Sequence, residues 1–182
     1  MYLSSLTGVI IKRRNFGESD RIITLYTLEK GKVTLKANSV RKLTSKRAGS
    51  LELFNLVKVG RAKGRGNFDV ITEVEIIDSY ASWKKHLGRI NIAYQLCEVI
   101  DKLTPDNQPQ PQIFKILSDS LLQISVLDND WQADINDWIS QIIQELGYWP
   151  KGSPFEGNLY EYIEELSNRK LHSPAILSRL RK

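Results

Sequence analysis

Cysteine and histidine are scarce in this sequence of 182 residues, which has one cysteine, Cys97, and two histidines, His86 and His172. A single thiol cannot form an intramolecular disulfide. Structural zinc sites use about four Cys or His ligands, and neither histidine has a Cys or a carboxylate at ligand spacing beside it. We therefore expect neither a metal site nor a cofactor.

Long apolar runs are missing as well. The longest uncharged apolar run is far shorter than the roughly 18 to 20 residues that a membrane helix needs. The first residues, Met1-Tyr2-Leu3, do not form a basic segment ahead of an apolar core, as a secretory signal would. With 41% hydrophobic and 26% charged residues, the composition is typical of a globular protein, and we expect a cytoplasmic one.

The sequence also lacks the patterns of common catalytic sites. Neither histidine lies in a nucleophile-elbow signature, so nothing supports a Ser-His-acid or Cys-His site. The segment from Gly60 to Gly66 contains three glycines, but no Gly-Lys-Ser/Thr follows it, and it lies between two predicted strands. We interpret the segment as a hairpin connection and predict no catalytic residues and no enzyme activity.

Positive charge is present in excess and is unevenly distributed. Residues 1–78 hold 15 Lys/Arg and 8 Asp/Glu, a net charge of +7, whereas residues 79–182 hold 11 and 13, a net charge of −2. A basic half of this kind indicates an anionic partner, and a nucleic acid is the first candidate.

The first half has the pattern of short strands, with β-branched apolar stretches between charged or glycine-containing turns. Five strands that cannot bury both faces of an open sheet favour closure into a small barrel. We therefore predict an OB-like barrel over residues 1–78. Its strands are predicted at Leu6–Ile11, Ile22–Thr27, Val33–Asn38, Leu51–Val59 and Phe68–Ile77.

In the last of these predicted strands, alternation places Phe68, Val70, Thr72, Val74 and Ile76 on one buried face.

The second half changes to the helical period and predicts an all-α bundle over residues 79–182. Trp83, Leu87, Ile90, Tyr94 and Cys97 form one stripe of a first helix that runs to about Lys102, which makes Cys97 a core residue. Prolines then end this helix. Three more apolar stripes predict helices that begin near Ile113, Trp131 and Leu159, with Gly147 ending the third, and Ser173-Pro174 predicts a short last helix over Ala175–Leu180.

The basic residues of the barrel lie in four clusters at turns or strand ends, and these are the candidate nucleic-acid contacts. Any single cluster would be typical of a solvated surface, but four of them can converge on one electropositive track. Phe16, in the first loop, is the candidate to stack on a base. The cationic candidates are Lys12, Arg13 and Arg14; Lys30, Lys32 and Lys36; Arg41, Lys42, Lys46 and Arg47; and Arg61, Lys63 and Arg65.

Two other functions fit the same features. An OB-containing protein interaction module could bind an acidic protein with its basic face, and an RNA-binding barrel would have the same charge pattern.

The N-terminal segments resemble RecO, the bacterial recombination mediator. The resemblance rests on Thr7 to Lys12, on the Gly17-Glu18-Ser19-Asp20 core with the strand after it, and on Lys30-Gly31-Lys32. It continues in Leu146-Gly147-Tyr148 and in Leu171 to Leu177. Glu18 and Asp20 are expected to shape the first loop or to orient Arg13, Arg14 or Arg21.

The resemblance implies an OB domain that binds single- and double-stranded DNA and anneals strands during repair and recombination at the nucleoid. It implies three protein partners: RecR, the C-terminal tail of single-stranded DNA-binding protein, and, indirectly, RecA. We expect the helical half to bind the tail. RecO proteins carry a four-cysteine zinc module after the Leu-Gly-Tyr landmark, and this sequence has no such cysteines there, so we expect a form that lacks the module.

Overall fold

The computed structural model describes residues 2–128 and 131–173. These residues divide into two compact units. The first comprises the chain up to Tyr80 together with Pro105–Phe114, and the second comprises Ala81–Thr104 with the described residues from Lys115 onward.

The first unit is built on a closed five-stranded barrel, as predicted. Around the barrel the strand order is β1-β2-β3-β5-β4, with β4 also paired to β1. Strands β3 and β5 run parallel, and the other neighbours are antiparallel. The strands are β1 (Tyr2–Phe16), β2 (Asp20–Thr27), β3 (Gly31–Ala37), β4 (Leu56–Ala62) and β5 (Asp69–Asp78).

Apolar side chains from all five strands fill the barrel. In β3 the period of two is complete, since Val33, Leu35 and Ala37 are buried and the residues between them are partly exposed. Val40 and Leu51, from the connection between β3 and β4, are fully buried in the same core. Burial of this apolar surface is the main stabilising term of the barrel.

The fourth strand begins at Leu56 and not at Leu51, so the predicted start was wrong. Residues 51–55 form turns, in which Phe54 has a φ of 70° and cannot continue a strand. The Asn55 side chain donates hydrogen bonds to the backbone oxygens of Gly49 and Ser50 and stabilises this bend. Leu51 and Phe54 are buried by packing of the turn rather than by strand alternation.

The predicted buried face of β5 was correct for Val74, which packs against the core, and wrong for Thr72 and Ile76. Ile71 is buried, whereas Thr72 and Ile76 are exposed. The reason is a bulge: Arg61 pairs with Ile71, and the adjacent Gly60 pairs with Glu73, which leaves Thr72 as an extra residue. The bulge shifts the alternation by one position, so that Ile71 and Val74 contact the core. Phe68 lies before the strand and outside the core.

Residues 105–114 pack on the β2–β3 hairpin, although the predicted boundary assigned them to the helical part. The Asn107 N–H donates to the Lys32 carbonyl oxygen at 2.8 Å, and the Tyr26 hydroxyl donates to the Gln110 side chain at 3.4 Å. Gly31, with a φ of 65°, lies against the Gln108 carbonyl, and a Cβ atom at this position would overlap that oxygen. The hairpin therefore requires glycine for both conformation and space.

Four α-helices lie in the described residues, and three of them belong to the second unit throughout. They are α1 (Leu87–Leu103), α2 (Pro111–Gln123), α3 (Gln132–Glu145) and α4 (Leu159–Ser167). Gly147, with a φ of 80°, follows the end of α3 as predicted. The predicted last helix over Ala175–Leu180 lies outside the described residues.

Trp83 precedes α1 and does not begin it, which corrects the predicted start. Its indole N–H donates to the Leu121 carbonyl near the end of α2 at 2.9 Å. Cys97 is buried in α1, as predicted, and burial raises the pKa of its thiol far above the ordinary value. The described helices include no span that is both long and apolar enough to cross a membrane.

We predict that Gly31→Ala destabilises the chain much more than Gly17→Ala. Both glycines have a positive φ, but an added Cβ at Gly17 meets nothing within 4 Å. Each substitution carries the cost of a left-handed alanine, about 1 kcal/mol, and overlap with Gln108 adds about 2 kcal/mol for Gly31→Ala. Urea denaturation of both variants measures the difference. Equal losses of stability would contradict the packing of residues 105–114 on the hairpin.

Candidate nucleic-acid interface

A groove of about 630 Å³ opens on the barrel between the end of β1, the end of β3 and the β4–β5 loop. In OB folds, oligonucleotides bind across strands β2 and β3 between the β1–β2 and β4–β5 loops. The groove lies at this position. Its lining residues are Phe16, Lys36, Asn38, Lys63, Gly64, Arg65, Gly66, Asn67, Phe68 and Val70.

Two aromatic rings line the groove. Phe16 was predicted to lie in the first loop, but it is the last residue of β1, which extends beyond the predicted end at Ile11. Its ring is 40% exposed, an unfavourable state for so large an apolar side chain. Phe68 precedes β5 and is partly exposed. Because every base has an apolar face that can stack on an aromatic ring, exposed rings in a groove of this kind suit a single strand.

Lys36 connects the aromatic and electrostatic parts of the groove. Its ammonium nitrogen lies 5.2 Å from the centre of the Phe16 ring, within the range of a cation–π contact. It also lies 2.9 Å from a carboxylate oxygen of Asp20. These two contacts hold the Lys36 side chain along the wall of the groove, beside the Phe16 ring.

Asp20 fixes this wall. Its carboxylate accepts the Ser39 backbone N–H at 2.7 Å and the Lys36 ammonium. The Ser39 hydrogen bond and then the Lys36 contact lower the pKa of the carboxyl below its usual range. Asp20 therefore ties the β1–β2 loop to the end of β3.

Of the two roles expected for Glu18 and Asp20, shaping the first loop is confirmed for Asp20 by its hydrogen bond from Ser39. The carboxylate beside Arg13 and Arg21 belongs to another residue. It is Glu52 that contacts these arginines, with an oxygen 2.5 Å from Arg13 and another 3.6 Å from Arg21. The order of residues along the chain could not show this, because Glu52 comes from the connection between β3 and β4. Arg13 is consequently paired with a carboxylate of the barrel.

The β4–β5 loop presents two exposed cations to the groove. Asp69 holds the base of the loop, since its carboxylate lies 2.9 Å from the Arg61 guanidinium and 3.7 Å from the Lys63 ammonium. The Lys63 side chain is nevertheless 74% exposed, and Arg65 is exposed as well. Arg61 is mostly buried and also contacts Ser4, so it stabilises the loop base.

Two further arginines attach the turns after β3 to the groove. The Arg41 guanidinium donates to the Gly17 carbonyl at 3.1 Å, beside Phe16. The Arg47 guanidinium donates to the carbonyl oxygens of Ile71 and Asn38, each at 3.0 Å. Lys42 and Lys46 are exposed on the same turns.

The structure thus brings together part of the predicted site. Phe16, Lys36, Lys63 and Arg65 line the groove, and Arg41 contacts the loop beside it.

The remaining predicted residues lie outside the groove lining. Lys30 and Lys32 lie at the β2–β3 hairpin, where the Lys32 ammonium is 3.5 Å from Asp106. Lys12 and Arg14 are exposed on β1, opposite Thr24 and Ile22 of β2.

Six lining residues were not predicted as contacts: Gly64 and Gly66 of the loop, and Asn38, Asn67, Phe68 and Val70. The two amides can hydrogen-bond to base edges or phosphates. Phe68 was assigned to the buried face of a strand. The loop with Gly64 and Gly66 just before it was the available signal that Phe68 lies just before the start of the strand, where its side chain can be exposed. No group of three metal-ligating side chains lies within residues 2–128 and 131–173.

Comparison with known proteins gives two family matches along the chain. Residues 1–80 match the family model described as Recombination protein O N terminal, and residues 85–153 match the model described as Recombination protein O C terminal. The first match contains the barrel and its groove.

Curated relatives with the name DNA repair protein RecO match most of this chain. The protein of Symbiobacterium thermophilum is 31% identical over 150 residues, which cover 82% of this chain and 59% of the relative. That of Trichodesmium erythraeum is 32% identical over 146 residues, covering 80% and 49%. That of Pelobacter propionicus is 28% identical over 167 residues, covering 86% and 66%. The matched part of this chain thus spans about half to two thirds of these relatives.

We predict that Asp20→Asn lowers stability at neutral pH and that its difference from the unsubstituted chain shrinks in acid. The Ser39 hydrogen bond and the Lys36 contact lower the pKa of the folded Asp20 carboxyl below its ordinary value of 3.8. Its stabilising contribution is therefore complete above the unfolded pKa and is lost as the pH falls from about 4 through the lower folded value.

Urea denaturation at a series of pH values measures this effect. Glu18→Gln, which removes an exposed carboxylate from the same loop, is the control for loss of charge. A destabilisation by Asp20→Asn that stays constant between neutral pH and pH 3 would contradict the assigned role of Asp20.

Proposed function

The chain belongs to the RecO family, and from this premise we propose that it takes part in DNA repair as a mediator that binds DNA in the groove of its barrel. The observation that carries the proposal is the meeting of Phe16 and Phe68 with Lys36, Lys63 and Arg65 around one groove. Stacking surfaces and phosphate-binding cations are the two requirements for holding a single strand.

The two kinds of side chain have different tasks in this proposal. The rings stack on bases, which contributes about 1 to 3 kcal/mol per base and depends little on base identity. The exposed cations contact phosphates and release counterions, which makes the affinity depend on salt. A groove of about 630 Å³ is of the size of small-molecule pockets and accommodates about one or two nucleotides.

Lys42 and Lys46, exposed on the turns after β3, then contact phosphates beyond the groove. The same cations would bind a second strand through its phosphates and reduce the repulsion between two strands, which supports annealing. Duplex DNA would bind by this backbone route as well. Binding of this kind does not read sequence.

We extend the proposal to protein partners on the basis of the family. RecR and the acidic tail of single-stranded DNA-binding protein are proposed to dock on the chain, with the helical unit as the site of the tail, so that RecA is loaded onto the DNA. No chemical step is assigned to the chain in this scheme.

We predict that Lys63→Ala with Arg65→Ala weakens single-stranded DNA binding about equally for all sequences. Loss of two phosphate contacts should reduce the slope of log affinity against log salt concentration by about 1.4, at about 0.7 per contact on a single strand. Fluorescence anisotropy with labelled oligonucleotides of several sequences, measured at four or more salt concentrations, gives both quantities.

A matched double variant, Lys58→Ala with Lys85→Ala, removes two exposed cations outside the groove and should leave the slope close to that of the unsubstituted chain. Equal slopes for all three proteins would remove the β4–β5 loop from the site. Tighter binding of RNA than of DNA would favour the RNA-binding alternative. Absence of binding to either would favour a protein interaction module.

A further inference from the structure

Leu43 is the most exposed large hydrophobic residue in the described part of the chain. Its relative accessibility is 106%, and the next most exposed, Val126, reaches 77%. A leucine with its whole side chain in water forgoes the stabilisation that burial would give. The exposure of Leu43 therefore has to be explained by its local structure.

The backbone holds Leu43 in this position. The Ser45 N–H donates to the Lys42 carbonyl at 2.9 Å, which closes a β-turn with Leu43 and Thr44 at its two central positions. Before the turn, Val40 is fully buried, and the Arg41 N–H donates to the Ser19 carbonyl at 2.9 Å.

After the turn, Arg47 bonds to the Ile71 and Asn38 carbonyls. The turn is thus anchored on both sides, and the leucine cannot fold back onto the barrel without breaking these contacts.

The surroundings of this leucine are cationic. Arg41, Lys42 and Lys46 are exposed around it. The sequence contains no acidic residue between Glu29 and Glu52. An exposed leucine surrounded by cations would suit a partner that carries negative charge on its outside and has an apolar gap that admits the side chain. A stacked nucleic acid has both, because phosphates flank the planar faces of the bases, and apolar wedge residues are known to enter between base steps.

The contacts of Arg41 and Arg47 also connect the turn at Leu43 to the groove. Arg41 donates to the carbonyl of Gly17, next to Phe16, and Arg47 donates to the carbonyl of Asn38, which lines the groove. These contacts tie the turn that carries Leu43 to two sides of the groove.

We propose that Leu43 is a wedge that inserts against the terminal base pair where duplex DNA meets the single strand held in the groove. The preferred substrate is then a junction between duplex and single strand. This inference rests on the proposed function, since it requires a strand in the groove.

The test compares the full chain with Leu43→Ser on a duplex with a single-stranded tail and 2-aminopurine at the last paired position. The unsubstituted chain should raise 2-aminopurine fluorescence by unstacking this base and should bind the junction about tenfold more tightly than a single strand of the same length. Leu43→Ser should lose both effects and retain its affinity for the single strand.

Leu28→Ser is the matched control, because Leu28 is an exposed leucine beside Lys30 on the β2–β3 hairpin. It should behave like the unsubstituted chain in both measurements. Retention of the fluorescence change and of the junction preference by Leu43→Ser, with single-strand binding intact, would overturn the wedge alone. The same losses in Leu28→Ser would overturn it too, because they would not be specific to Leu43. Failure of the unsubstituted chain to bind single strands would overturn the proposed function and the wedge with it.

Discussion

Closure of the barrel through a short parallel pairing of β3 with β5 is the constraint on which the candidate site depends. Only Leu35 with Asp69 and Lys36 with Val70 are paired across this seam. The pairing brings the end of β3 beside the entrance of β5, although these residues are far apart in the sequence. Phe68 and the β4–β5 loop are thereby placed next to Lys36. An open sheet with the same strands would separate the loop from that lysine.

Carboxylates then divide the cations of the barrel into two groups. Asp20, Glu52 and Asp69 contact basic side chains, and the first and last of these contacts hold the walls of the groove. These contacts fix the orientation of the basic side chains, and those of Asp20 also contribute to stability at neutral pH. The exposed cations of the β4–β5 loop and of the turns after β3 are those that we propose as phosphate contacts.

The sequence was sufficient to predict elements in which buried and exposed residues alternate with a regular period. The β3 alternation follows from burial of one face and was predicted. The stripe predicted through Cys97 was correct for Cys97 itself and wrong for Leu87 and Tyr94, which are exposed. Contacts between distant parts of the chain were not predicted. The bulge at Thr72 depends on pairing with β4, the partner of Arg13 is Glu52, and residues 105–114 return to the barrel. In each case the deciding contact lies many residues away, where local patterns carry no information. Phe16 was identified because it was predicted to lie in a charged loop, although it is the last residue of β1. Phe68 was hidden by an apparent strand pattern.

The most direct test of the central claim is an NMR titration of the full chain, with labelled phenylalanine rings, against a short oligothymidine. We expect the resonances of the Phe16 and Phe68 rings to shift on addition of the strand, because stacked bases change their magnetic environment. The buried ring of Phe54 is predicted to stay unchanged as an internal reference. Saturable binding with no change at Phe16 or Phe68 would contradict a single strand held in this groove.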